Sequence, residues 1–370
     1  MTNEHHSLDL NKRLASLDFM RGLIMVLLML ESTGLYNVLY DQTKDSSWGL
    51  LFGQFHHHPW NGLRLWDLIQ PGFMFIAGTA MAYSVTGMKE KGIPRSNISS
   101  KIFKRCGWLF FWGVLNYAVR KSGLSFELWN VLTQLSFTIL VAYLIFEWKY
   151  TYQILFACTL LVFTELLYRY SNVSGFDQPF TDQKNFGNYI DLLLMNKINK
   201  GGWVAINCIP TAVHTIAGAL VGKLLITSSN NKTKTIVYWG ICAIALGYIM
   251  DIAGITPIIK RIATSSFTLA SLGWCLLSLA ACYYFIDVKK SKENLFFFQV
   301  VGMNSIFIYL FFEIVGDRWF NGYIGAIAKG LMEIIHIDPW IQSIMTCIVI
   351  FLLEWSICLF LYRKKIFFKL

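Results

Sequence analysis

Runs of about twenty apolar residues, separated by short polar clusters, recur along the whole chain. A helix crossing bilayer hydrocarbon needs about 20 mostly apolar residues. Such runs fall at 14–36, 65–87, 103–120, 129–147, 151–169, 206–227, 235–254, 266–287, 295–316 and 341–362. The pattern predicts an all-α integral membrane protein, a polytopic bundle of about ten helices. No repeat period and no Pro/Gly/Ser-rich linker divides it, so residues 1–370 read as one membrane domain with tails at 1–13 and 363–370. Two connections, 170–204 and 316–339, outlast ordinary loops, and loops of that length usually carry function or short structure of their own. The second, WFNGYIGAIAKGLMEIIHI, alternates at helical spacing and predicts an interfacial or re-entrant helix, with His336 an interfacial polar residue.

Composition agrees: 55% of the 370 residues are hydrophobic and 15% charged. The formal net charge of +10 is explained by where the cations fall, because short loops rich in Lys and Arg mark the cytoplasmic side. Lys12 and Arg13 precede the first run. The same side collects Lys89, Lys91, Arg95, Lys101, Lys104 and Arg105, then Lys149, Lys223, Lys232, Lys234, Lys289, Lys290 and Lys292, and finally Arg363, Lys364, Lys365 and Lys369. The opposite loops mix few cations with Asp41, Asp45, Asp177, Asp182, Asp317 and Asp338. Both termini are therefore expected in the cytoplasm and the chain in the cell (inner) membrane, with no nucleic-acid partner. Asp18, Arg21 and Glu31 interrupt the first run and no small-residue cleavage pattern follows, so it reads as a retained span. Eight cysteines without CxxC or ligand spacing read as small apolar residues.

The densest chemistry lies in Phe55 to Gly78, FHHHPWNGLRLWDLIQPGFMFIAG, on the side opposite the cations. Imidazole titrates near neutrality and serves as base, nucleophile or ligand, and an Asp in hydrocarbon costs roughly 2.5–3.5 kcal/mol on insertion scales. Asp67 at the mouth of a span therefore predicts a working site, with a histidine oriented by a carboxylate. Adjacent histidines do not converge on one ion, so no metal is expected. Trp60 and Trp66 suit an interfacial aromatic belt. Asp18 and Arg21 are placed to pair at i and i+3, either as a structural ion pair or as an anchor beside a ligand tunnel. Glu31 lies one helix length further on. His214, inside the sixth run, is a functional or a packing residue. Lys260, Thr264, Ser265, Ser266 and Asn304 are polar groups at helix ends that must find partners.

RLASLDFMRG, HHHPWNGLRLWDLIQPGFMFIAG, KIFKRCGWLFFWG, WNVLTQLSFT, NCIPTAVHTIAG, KRIATSSFTLASLGW and VGMNSIFIY occur in this order. Together they resemble the heparan-alpha-glucosaminide N-acetyltransferase family of membrane acyltransferases over nearly the whole chain. The resemblance implies transfer of an acetyl group from cytoplasmic acetyl-CoA to the 2-amino group of a glucosamine on the other side. It implies a catalytic histidine just before Trp-Asn-Gly, which is His57 with His56 and His58 flanking it. Trp60, Asn61, Glu31 and His214 are the candidates for binding the acceptor. The 370 residues hold no counterpart of the large lumenal domain of the animal lysosomal enzyme, so the acceptor expected is free glucosamine or a glucosamine-bearing envelope sugar.

A mechanism that fits the charges places the CoA phosphates on Lys101, Lys104 and Arg105, with the pantetheine arm passing Asp18 and Arg21; the alternative is that these cations only obey the positive-inside rule. His57, aligned by Asp67, is a general base or a transient acetyl carrier. Asn304 or the Ser265 and Ser266 hydroxyls are candidates for the oxyanion. The partners expected are an amino sugar and the bilayer, with a homodimer left open. An O-acyltransferase of envelope glycans and a sugar permease are the competing readings.

Overall fold

The computed structural model describes residues 14–120, 123–227, 231–291 and 295–368. The tail 1–13 with Lys12 and Arg13, and Lys292 and Lys369, lie outside the described residues. Lipid offers backbone N–H and C=O groups no partner, so apolar runs satisfy them as helices. Helix α1 (Ala15–Ser32) breaks at Thr33–Gly34 and continues, bent by 67°, as α2 (Leu35–Thr43). A short α3 (Ser47–Phe52) leads into the histidine segment. There follow α4 (Ile69–Glu90), α5 (Arg95–Ala118), α6 (Val131–Leu144) and α7 (Tyr150–Tyr170). A two-residue antiparallel ladder, β1 (Val119–Arg120) on β2 (Gly123–Leu124), lies between α5 and α6. The first long connection holds α8 (Phe186–Met195), and α9 (Cys208–Ile226), α10 (Lys232–Ile252) and α11 (Ser265–Cys282) come next, the last prolonged by a π-helical turn to Val288. Helix α12 (Leu295–Gly302) bends by 72° into a helix from Ser305 to Ile334. Within that helix α13 (Ser305–Phe311) and α14 (Asn321–Ile334) flank a π-helical stretch, Phe312–Phe320, and α15 (Pro339–Arg363) is last.

Among the described residues six helices are long and apolar enough to cross a membrane, or up to eight if each bent pair is one span. The sequence pattern predicts about ten. Two of its runs fall short for identifiable reasons. Helix α6 has 14 residues, about 21 Å at 1.5 Å per residue, and α5 carries Arg95, Lys101, Lys104 and Arg105. Both nevertheless run between the same two ends of the bundle: Tyr117 of α5 lines a cavity with His57, and Glu147, just past α6, pairs with Lys89 of α4. The long helix after the α12 bend runs through the end predicted at 316. The helix expected within 316–339 is its second half, with Trp319, Tyr323, Ile327 and Leu331 exposed at every fourth position.

Helices α4 and α9 are buried along most of their length and form the centre, whereas α7, α10 and α15 present mostly exposed apolar surface. Their closeness requires two glycines. A Cβ on Gly218 would fall on the carbonyl of Phe75, and one on Gly78 on that of Thr215, the small-residue contact that lets helices approach in lipid. Asp287 accepts hydrogen bonds from the backbone N–H groups of Ala15 (3.2 Å) and Ser16 (3.1 Å). It thereby caps α1 from another part of the chain where Leu14 has no side chain to do so.

If this seam sets the α4–α9 distance, Gly218→Ala should destabilise by about 1–3 kcal/mol. Gly87→Ala in α4, where a Cβ meets nothing within 4 Å, should be neutral or slightly stabilising. Thermal unfolding in detergent compares them, and equal Tm values would refute the close seam.

Candidate active site

The local sequence orients the histidines. The chain leaves a short 3₁₀ turn (Gly53–Phe55) with His56 at φ −117°, ψ 149°, and Pro59 disfavours helix at His58. Successive side chains of an extended segment point to opposite sides, which separates His57 from its neighbours. His56 lies against the Tyr40 ring, centroids 4.8 Å apart. His58 fills the space beside Gly62 (φ 144°), where a Cβ would sit 2.6 Å from its Nε2. His57 lines a cavity of about 320 Å³ that neither neighbour reaches.

Asp67 closes the site from below. It occupies the first turn of the helical entry into α4 and reaches back to the start of that turn. Its Oδ2 accepts the backbone N–H of Arg64 (2.9 Å) and of His58 (3.2 Å), and its Oδ1 lies 3.0 Å from His57 Nδ1. Its side chain is 1% exposed against 35% for His57, so the pair has one buried end and one open face. Among the described residues His57 Nε2 has no protein hydrogen-bond partner, whereas Nδ1 is engaged.

A second arm comes from the loop between α10 and α11. Asn61 pairs with Ile259 as an isolated bridge, and Gly62 N–H donates to the Ile258 carbonyl (2.8 Å). The loop is stiffened by Thr264, which donates to the Pro257 carbonyl (2.7 Å) and accepts from Ile259 N–H (3.0 Å). It delivers Lys260, buried, to 3.0 Å from His57 Nδ1 and 3.6 Å from Asp67 Oδ1, with the Trp66 carbonyl at 3.4 Å. Trp203 covers both, its ring 5.5 Å from the His57 ring and 5.2 Å from Lys260 Nζ. Burial lowers the His57 pKa, and the Lys260 charge lowers it further. Burial likewise brings Lys260 down to about 8, against the pull of Asp67.

Glu31 also lines this cavity and accepts a hydrogen bond from Trp66 Nε1 (3.1 Å). Glu313, which accepts from Asn116 Nδ2 (3.4 Å), and Glu127, paired with Lys197 (3.0 Å), line it too. A second cavity, about 570 Å³, is lined by Arg21, Lys101 and Arg105 and by apolar side chains such as Met25, Ile76 and Ile306. The two cavities share Phe73, Val131 and Tyr309.

The sequence expectations divide accordingly. His57 and Glu31 line one cavity, with Asp67 buried behind His57, and Arg21, Lys101 and Arg105 line the other. Asp18 is buried beneath, 3.4 Å from Arg21. Lys104 is exposed and off the cavity wall, one position and so about 100° round the helix from Arg105. Asn304 is not brought to His57: its Nδ2 donates to the Ile366 carbonyl and its Oδ1 accepts Phe368 N–H, both at 3.0 Å. His214 is fully buried between Ser271 (2.9 Å) and the Thr211 carbonyl (3.2 Å), a packing position. Trp60 donates to the Phe180 carbonyl (2.7 Å), and with Asn61 it docks the histidine loop instead of lining the cavity. Ser265 and Ser266 turn to Glu165 and to the Pro257 carbonyl. Among the described residues no three His, Cys, Asp or Glu gather as metal ligands. Lys260 and Trp203 were not singled out as site residues; a lysine within the apolar run ITPIIKRIAT was the one available signal.

No protein-family model matches the sequence. It is 24% identical to the heparan-alpha-glucosaminide N-acetyltransferase of Mus musculus and 25% identical to that of Homo sapiens, over 97% of this chain in each case. The chain resembles these N-acetyltransferases along almost its whole length. It spans 60% of the length of each.

Removing one member of a buried ion pair leaves the other charge uncompensated, at about 3–5 kcal/mol. Asp67→Ala should lower stability by that order, and Asp67→Asn with Lys260→Met should lose much less. Additive losses in the double variant, by thermal unfolding, would show that the two are not coupled.

Proposed function

We propose that this chain is a transmembrane acetyltransferase. It moves the acetyl group of cytoplasmic acetyl-CoA to the amino group of glucosamine or a glucosamine-bearing sugar on the extracytoplasmic side. The observation that carries the reading is the pairing of a histidine–aspartate site in one cavity with a cation-lined cavity behind a shared wall. The alternation of basic loops supports cytoplasmic termini and an extracytoplasmic His57. Arg21, Lys101 and Arg105 suit the CoA phosphates, and the apolar lining between them and Phe73 suits a pantetheine arm. Acetyl-CoA supplies the activated acyl group as a thioester.

The acceptor cavity has the complementary chemistry. Glu31 and Glu313 favour a cation such as a protonated amino sugar, and Trp129 and Trp203 offer flat faces to a sugar ring. An ammonium cannot attack a carbonyl until it loses a proton. His57 takes that proton at Nε2 while Asp67 fixes the ring, a contribution worth typically 10²–10⁴-fold. Acetylation of His57 itself is the other route through the same geometry.

Purified protein should transfer label from acetyl-CoA to glucosamine, but not to a hydroxyl-only sugar and not without acceptor. Transfer to the hydroxyl sugar would make it an O-acyltransferase, and sugar uptake without transfer a permease. His57→Ala should abolish transfer, while His56→Ala and His58→Ala weaken it; a dead neighbour beside an active His57 variant would overturn the assignment. Replacing Lys101 and Arg105 by Gln should raise KM for acetyl-CoA several-fold and leave that for the sugar nearly unchanged. Unchanged acetyl-CoA affinity by calorimetry would remove this cluster from the proposal.

A further inference from the structure

A histidine–aspartate dyad needs no lysine, yet Lys260 occupies the same ring nitrogen as Asp67. His57 Nδ1 lies 3.0 Å from Asp67 Oδ1 and 3.0 Å from Lys260 Nζ. A neutral ring nitrogen has either one proton to donate or one lone pair to offer, not both. With the proton on Nδ1 it donates to Asp67, Nε2 presents its lone pair to the cavity, and Lys260 must face the N–H as a neutral amine or turn to the Trp66 carbonyl. With Lys260 as an ammonium, it donates to the Nδ1 lone pair, and the ring carries its proton on Nε2. The second arrangement is not a base toward the cavity.

We propose that Lys260 is the proton reservoir behind His57, a positioning residue whose protonation sets which ring nitrogen faces the acceptor. This rests on the acetyl-transfer reading. In the step it implies, the acceptor ammonium gives a proton to His57 Nε2, and the Nδ1 proton passes to the Lys260 amine. That leaves an ammonium 3.6 Å from Asp67 and a free acceptor amine. The amine nitrogen bonds to the thioester carbonyl carbon, the C–S bond breaks with its electron pair on sulfur, and one of the two nitrogen protons goes to the thiolate while the other stays on the amide. Lys260 then returns its proton to Nδ1 and His57 releases the Nε2 proton to the cavity, which restores the starting tautomer. The products are amide, thiol and one proton.

The surroundings suit the exchange. Around Lys260 stand Asp67 and Glu31, which favour its charge, Arg261, which opposes it, His57, and the Trp203 ring. His57 meets Asp67, Lys260 and Arg261, and its carbonyl accepts from Arg64 (3.4 Å). Burial brings Lys260 to about 8, so neutral amine is available near physiological pH. Because only the deprotonated form leaves Nε2 as acceptor, activity should rise with pH through that region.

Two measurements on the full chain test this. The first is the nitrogen NMR spectrum of His57 in isotope-labelled protein, which needs no variant and no substrate. The proton should move from Nε2 to Nδ1 as pH rises between about 7 and 9, and a ring that keeps one tautomer throughout overturns the relay. The second is the pH profile of kcat/KM. Lys260→Arg, a permanent cation, should hold the inactive tautomer and lose ~10²-fold or more in kcat with unchanged KM. Lys260→Met should retain more activity than Lys260→Arg and move its acid limb to lower pH. Arg equal to or better than Met, or a Met profile matching the parent, overturns the proposal. A tautomer change without any acetyl transfer would overturn the acetyltransferase reading and leave the relay standing.

Discussion

A carboxylate that enters an apolar bundle must be given donors, and at Asp67 those donors come from three directions. The chain's own turn supplies the N–H groups of Arg64 and His58, the histidine segment supplies Nδ1, and the α10–α11 loop supplies Lys260. Each donor fixes the segment it belongs to. The extended run through His57, the helical entry into α4 and the turn at Lys260 are thus held at one point, because separating any of them would leave a buried charge short of partners. The bridge between Asn61 and Ile259 and the capping by Thr264 reinforce this arrangement from the backbone side.

What was legible in the sequence was whatever depends on local order along the chain. Apolar run length marked the membrane helices, and charge alternation separated their two ends. His57 and Asp67 are ten positions apart on one segment with a proline and a helix entry between them, so their meeting follows from turn chemistry. Arg21 and Arg105 were legible as charges that needed a reason to sit beside apolar runs. Contacts between distant segments are of a different kind. Asn304 is drawn to the C-terminal segment and His214 to Ser271, partners 62 and 57 residues away, and no local pattern announces such distances. The bends at Gly34 and at residues 302–304 interrupt runs whose hydropathy is continuous. Lys260 lies 203 residues from His57, and only the packing of two loops brings it there.

Helix α4 ties the two halves of the site together. Its N-terminal entry carries Asp67, its second turn carries Phe73 in the wall between the cavities, and further along Ile76 and Ala77 line the cation-lined cavity. Held against α9 by the Gly78 and Gly218 contacts, α4 cannot shift at one end without shifting at the other.

The shared wall of Phe73, Val131 and Tyr309 has an electrical meaning as well. Moving one elementary charge across a polarised membrane is worth about 2.3 kcal/mol per 100 mV, normally spread over about 30 Å of hydrocarbon. If water fills the two cavities from opposite sides up to these three side chains, that drop falls across a single layer of residues. The wall is then the membrane's insulator at this point, and its thickness governs whether protons stay on the side where they were released.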